Sequence, residues 1–189
     1  MKRPIFIVTP YGDIVDIEKP CIITLNDVAK GLSQISRFKG DTIRSYSVAR
    51  HSFVVSYLVP APYALEALLH DAPEAYLGDL ISPVKALCPD YQRLEQIWWE
   101  AVAFNYQLPK QISKEVHAAD RMAFLSEAVS LLREDNRAEY LKVLGIDPTK
   151  TLTLEELEVK FAVPKEDCIQ FQFVNRALQL LTLKQNNLN

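Results

Sequence analysis

Leu68-Leu69-His70-Asp71-Ala72-Pro73-Glu74 sets an imidazole beside a carboxylate at the end of an apolar, helix-spaced run. Packing alone does not explain such a pair, because buried polar groups need partners. The chain has three histidines, His51, His70 and His117. His51 upstream and Asp120 downstream are the natural companions of the doublet. A divalent cation would satisfy His51, His70, Asp71 and Asp120 together. Two imidazoles and two carboxylates suit Mn, Co, Zn, Ni or Mg with a coordination position left open. Adjacent helical residues point about 100° apart, so the ion has to sit beside the helix that ends in His70-Asp71. The segments bearing His51 and Asp120 must then flank that helix. This stretch therefore reads as the centre of a helical bundle clamped by a cation. The plainer alternative is four unrelated residues, with His51 and Asp120 merely hydrogen-bonded; the spacing alone does not choose.

Working outward, Ser47 to Leu58 reads as a helix carrying His51, and Tyr63 to Asp71 as its successor, with Pro60 and Pro62 kinking the connection. Upstream, Thr24 and Asp27 resemble a capping box before Leu25, Val28, Ala29, Leu32 and Ile35 at helix spacing. Ile5 to Val8 and Ile14 to Ile17 flank Pro10-Tyr11-Gly12-Asp13, the pattern of a small β-hairpin. Downstream, Ser82-Pro83 opens a helical turn containing Lys85. Pro89 to Tyr106 forms a long helix with Leu94, Ile97, Trp98, Ala101 and Val102 on one face. Pro109 is expected to start another, with Ile112, Val116, Ala119, Ala123 and Leu131 inward and Asp120 beside that stripe. Glu134 to Val163 is more charged and less regular. Pro164 begins a last helix with Ile169, Val174, Ala177, Leu178 and Leu181 inward. The expected fold is mostly α, with one N-terminal hairpin. It forms a single domain over 1–189, divided into a hairpin (1–20), a helical core (24–132) and C-terminal helices (134–189).

A hydrophobic content of 49% over 189 residues suits one compact core. The net charge of −3 provides no general basic field for long nucleic acid. Cys21, Cys88 and Cys168 are odd in number and far apart, so they are expected to be buried free thiols in a reducing cytoplasm. The longest apolar stretch, Phe53 to Leu69, contains two prolines and Glu66 and reads as soluble helices rather than a membrane span. Of Trp98-Trp99, one ring is expected in the core and the other outward, where it suits a helix-to-helix contact between subunits.

Several motifs occur in a fixed order: Arg50-His51-Ser52, His70-Asp71 with Glu74, Gly78-Asp79, Ser82-Pro83-Val84-Lys85 and Ala119-Asp120. In this order the chain resembles the HD-domain phosphohydrolases, named for the His-Asp doublet. The closest likeness is to the small bacterial 5′-deoxynucleotidases and to phage enzymes that remove triphosphate from dATP. The likeness runs from about Asp27 to Leu132. It implies a helical HD bundle, a metal site at His51, His70, Asp71 and Asp120, and hydrolysis at the α-phosphorus of a deoxynucleotide. It makes Glu74 an acid/base group and Asp79 a holder of water or substrate. Lys85 and Arg37 would face phosphate, with Phe38 against the deoxyribose. The bacterial enzymes typically carry Arg-Trp where this chain has Arg37-Phe38. The favoured substrate is a dNTP, dATP first, with dNMPs as the alternative. The resemblance also implies a homo-oligomer. Hydrolases of (p)ppGpp usually carry Glu-Asp soon after His-Asp; Ala75 after Glu74 counts against them. A rival of another class is a non-catalytic helical module stapled by its metal.

Overall fold

The computed structural model describes residues 4–21 and 23–186 and is mostly helical, with one two-stranded antiparallel hairpin. The first three residues of the hairpin unit lie outside the described residues. Strands β1 (Phe6–Val8) and β2 (Ile14–Asp16) pair Ile7 with Val15, and Val15 is the buried member. The turn between them needs a residue at positive φ, and Gly12 supplies it at φ 99. Helix α1 (Leu25–Gln34) is capped by Thr24, whose hydroxyl oxygen accepts the Asp27 N–H. The Asp27 carboxylate does not close a capping box. It accepts the Tyr11 N–H at 2.9 Å and so ties the hairpin to α1.

Helix α2 (Val48–Leu58) is the hub of the bundle. Ser47 caps it, and every side chain from Val48 to Ser56 is buried. It packs against α1, α3 (Ala64–Leu69), α7 (Lys114–Leu131), α9 (Leu154–Phe161) and α10 (Ile169–Asn186). A 3-10 turn at Ala61–Tyr63 makes the kinked connection to α3. The short helices α4 (Glu74–Leu77) and α5 (Ser82–Lys85) and the long α6 (Pro89–Tyr106) lie between α3 and α7 in the chain; α8 (Glu134–Val143) lies between α7 and α9. α4 sits on α1, where Gly31 leaves no room for a side chain: a Cβ there would stand 2.7–2.8 Å from Ala75.

The main core joins Val28 and Leu32 of α1, Leu68 and Leu69 of α3, Trp98 of α6 and Phe173 of α10. A second cluster joins Val54 and Val55 to Val116, Ala123, Leu154 and Leu157. The more charged segment 134–163, expected within the C-terminal helices, contains α8 and α9, and α9 is part of the core. Glu158 anchors it to α2 through Arg50 at 2.8 Å, and Arg44 binds the same carboxylate through both oxygens.

Four expectations need correction. Helix α7 starts at Lys114 instead of Pro109, because Ser113 is held by the buried Glu66, whose oxygens accept its N–H at 2.5 Å and its hydroxyl at 2.8 Å. Trp99 does not face outward. Both indoles are buried, because α6 is covered on more than one side, so the expected subunit contact loses this support. Leu178 points out, 51% exposed, while Ala177 takes the inward position. The thiols are free but not buried: Cys21, between β2 and α1, and Cys168, in the 3-10 turn before α10, are exposed, and Cys88, between α5 and α6, is half-buried.

Candidate metal centre

His51 and His70 approach each other because α2 and α3 run antiparallel from their proline-rich connection and end side by side. Their ring centroids are 5.5 Å apart. Each imidazole is fixed through its outer nitrogen. The Ala67 carbonyl can only accept, so His70 Nδ1 donates to it at 2.8 Å. His51 Nδ1 donates to the Glu127 carboxylate at 2.6 Å. Both inner nitrogens are buried: among the described residues His70 Nε2 has no hydrogen-bond partner, and His51 Nε2 faces a carboxylate oxygen of Asp120 at 3.0 Å.

Two carboxylates meet these nitrogens. Asp120 Oδ1 on α7 lies 3.0 Å from His51 Nε2 and 3.9 Å from His70 Nε2. Asp71 Oδ2, in the turn after α3, lies 3.8 Å and 3.3 Å from the same atoms. The ligand atoms of His51, His70 and Asp120 all fall within 4.8 Å of one another, and this group could hold a metal ion. The donor set fits a divalent cation by three tests. Both Nε2 atoms face inward, the outer nitrogens fix the tautomers, and the carboxylates of Asp71 and Asp120 close on the same space.

Electrostatics point the same way. Burial and the Arg37 charge press His51 toward neutrality, but Glu127 and Asp120 outweigh them and lift its pKa to about 10. In the metal-free protein a proton on Nε2 thus takes the place of a cation. Burial opposes ionisation of Asp120, yet His51, His70 and Arg37 hold it well below the usual carboxylate range.

Glu127 was not foreseen. It is fully buried, accepts from His51 through one oxygen, and pairs with Arg37 through the other, at 3.1 Å to Nε and 3.0 Å to Nη2. A signal was present: Glu127 lies seven residues after Asp120, on the same face of one helix, in an otherwise apolar stripe.

The remaining expected residues surround this centre unevenly. Glu74, at the start of α4, is 5% exposed. Burial first, then the charges of Asp71 and Asp79, raise its pKa to about 9 against the pull of Lys85 and Arg37. Asp79 follows Gly78, whose φ of 77 turns the chain and whose carbonyl accepts the Tyr91 hydroxyl at 2.5 Å. Lys85 is already paired, donating to Glu74 at 3.3 Å and Glu95 at 2.6 Å, so it steadies Glu74 and is not an unengaged phosphate clamp. Arg37 is likewise engaged by Glu127 but stays close enough to feel Asp71 and Asp120. Phe38 stacks on Phe124 with centroids 5.8 Å apart. Phe38 and Lys39 have φ of 52 and 56, a left-handed turn that side chains seldom adopt. His117, one turn before Asp120 on α7, is exposed.

No family model matches the chain. It is similar to YfdR, an uncharacterized protein of Escherichia coli (strain K12), at 42% identity over 113 residues, covering 60% of this chain and 64% of YfdR. It is also similar to an uncharacterized protein of Rhodobacter capsulatus, at 37% identity in a 130-residue alignment covering 61% of this chain and 66% of that protein. In both cases the match spans just under two thirds of the relative's own length.

Proposed function

We propose that the protein is a metal-dependent phosphohydrolase of the HD type that cleaves the 5′-phosphoester of 2′-deoxynucleotides, with dATP as the leading substrate and triphosphate as a product. The observation that carries this reading is the pair of buried Nε2 atoms facing the carboxylates of Asp71 and Asp120, with Glu74 close enough to feel the Asp71 charge. His51, His70, Asp71 and Asp120 would hold a divalent cation, which when bound would supply Lewis-acid polarisation of a phosphate oxygen and a more nucleophilic water. Water attacks the α-phosphorus and the bond from phosphorus to O5′ breaks. Asp79 accepts the proton from water. Glu74, whose burial and neighbours Asp71 and Asp79 favour its protonated form, gives its proton to the leaving O5′. Lys85 holds the Glu74 carboxyl in place, and Arg37 adds positive charge opposite the phosphate oxygens. A monophosphate in the same position would yield nucleoside and phosphate.

The test is purified protein loaded with Mn²⁺ or Co²⁺ and challenged with dNMPs, dNTPs and ribonucleotides, with products separated by ion exchange. Deoxyadenosine plus triphosphate is the expected result. Turnover of dNMPs alone would replace the proposed substrate with the monophosphate. Metal binding without turnover of any member would leave a cation that only ties the bundle. Asp71→Ala should lose bound metal and activity together, and an active, metal-free Asp71→Ala protein would overturn the mechanism.

A further inference from the structure

A cavity of about 740 Å³ lies at the opposite end of the α2–α3 pair from His51 and His70. Ser56 and Tyr57 of α2, Leu65 of α3, Leu108 after α6, and Arg176 and Leu180 of α10 contribute to its walls. We propose that this cavity binds a small organic anion with an apolar body, and that Arg176 receives its carboxylate or phosphate.

The volume falls in the range of small-molecule sites, roughly 300–1,000 Å³. The walls are mostly aliphatic and aromatic, which suits an apolar ligand body. Arg176 is the exception. Its guanidinium lies 3.9 Å over the Tyr57 ring. Among the described residues its only hydrogen bonds are long ones to Ser56, 3.5 Å to the hydroxyl and 3.4 Å to the carbonyl. Among the described residues no carboxylate lies within ion-pair distance of it, although a partly buried charge ordinarily acquires a partner. The carboxylate in the wall, Glu66, is occupied by the Ser113 N–H and hydroxyl. The other wall cation, Lys184, is occupied by the carbonyls of Tyr106 and Gln107. Arg176 therefore offers a planar donor fork, stacked and held in orientation, with no anion assigned to it. That fork matches carboxylate or phosphate oxygens in bidentate fashion. The inference does not depend on the metal centre or on turnover.

The experiment is calorimetric titration of the full-length, metal-loaded protein with dodecanoate, dodecyl phosphate, dodecylamine and dodecanol, each below its aggregation threshold. Saturable one-to-one binding of an anion, and none of the amine, is expected; comparison of the two anions shows which head group the site takes. Arg176→Gln should weaken that binding by roughly 10–100-fold, the value of a hydrogen-bonded charge, with metal binding unchanged. Arg176→Lys, which keeps the charge and loses the fork, should fall between and serves if the glutamine variant does not fold. Failure of both anions to saturate, equal affinity for dodecylamine, or undiminished binding by both Arg176 variants would overturn the proposal. So would anion affinity that falls as protein concentration rises, which would assign the cavity to a second copy of the chain.

Discussion

Glu127 fixes the centre from outside, meeting His51 at Nδ1 on the side away from the space that Nε2 faces. Its carboxylate is fully buried and holds His51 and Arg37 at once. Glu127→Ala leaves a buried cation without its partner and should cost about 3–5 kcal/mol in thermal or denaturant unfolding. It should also weaken Mn²⁺ binding about 10–100-fold, the usual effect of removing the group that orients a ligating histidine. A Glu127→Ala protein of unchanged stability and affinity would remove this role. Glu74 gives a pH prediction. Its folded pKa is raised from 4.5 to about 9, so the native state retains a proton that the unfolded chain has lost over that window. The contribution of Glu74 is therefore full below pH about 4.5, declines as pH rises, and is lost above about 9. Melting temperatures of chelator-treated protein should show this decline, and Glu74→Gln should flatten it.

The helices differ in how plainly their limits can be read. α1 and α2 announce themselves through Thr24 and Ser47 ahead of apolar runs, and α6 through Pro89 in its first turn. The start of α7 could not be read locally, because Ser113 is positioned by Glu66 from another helix. α9 had a readable start, a capping box of Thr153 with Glu156, but the surrounding charge hid it. The contact of α4 with α1 was also invisible in advance, since Gly31 in the middle of a helix reads as a weakness. It is instead the notch that seats Ala75, one residue after Glu74. Gly31→Ala should raise helix propensity in α1 and still destabilise the protein by about 1–3 kcal/mol through overpacking. If the seat orients Glu74, the variant should also lose more turnover than a destabilised control of equal melting temperature. Unchanged stability would mean that α4 shifts freely.

At the scale of the whole molecule, the centre draws its groups from α2, the end of α3 and α7, so a bound cation would tie these elements together and couple its binding to folding. At a cation concentration 100 times the dissociation constant, binding should add about 2.7 kcal/mol. For a chain of this size that is a rise of roughly 5–11 °C in melting temperature, reversed by chelation. A melting temperature indifferent to both would argue against a bound ion. The bundle and the convergence of His51, His70, Asp71 and Asp120 were legible because imidazoles and carboxylates along apolar helices leave few alternatives. The pairing of Lys85 with Glu95, the burial of Trp99 and the bridge through Glu127 depend on which helices become neighbours, and no local pattern states that. Among the described residues, no helix is long and apolar enough to cross a membrane.

The central position of α2 has a consequence for how this sequence can vary. From Val48 to Ser56 it presents no side chain to solvent, whereas in α8 only Leu141 is buried among the side chains described. A neutral substitution needs a side chain that can change without meeting a neighbour, and that run of α2 offers none. In a scan of all single substitutions, Val48 to Ser56 should form the least tolerant block of the chain and α8 one of the most permissive. The histidine on which the proposed chemistry rests is thus embedded where mutational drift is slowest, protected by the packing of its neighbours as well as by its own role.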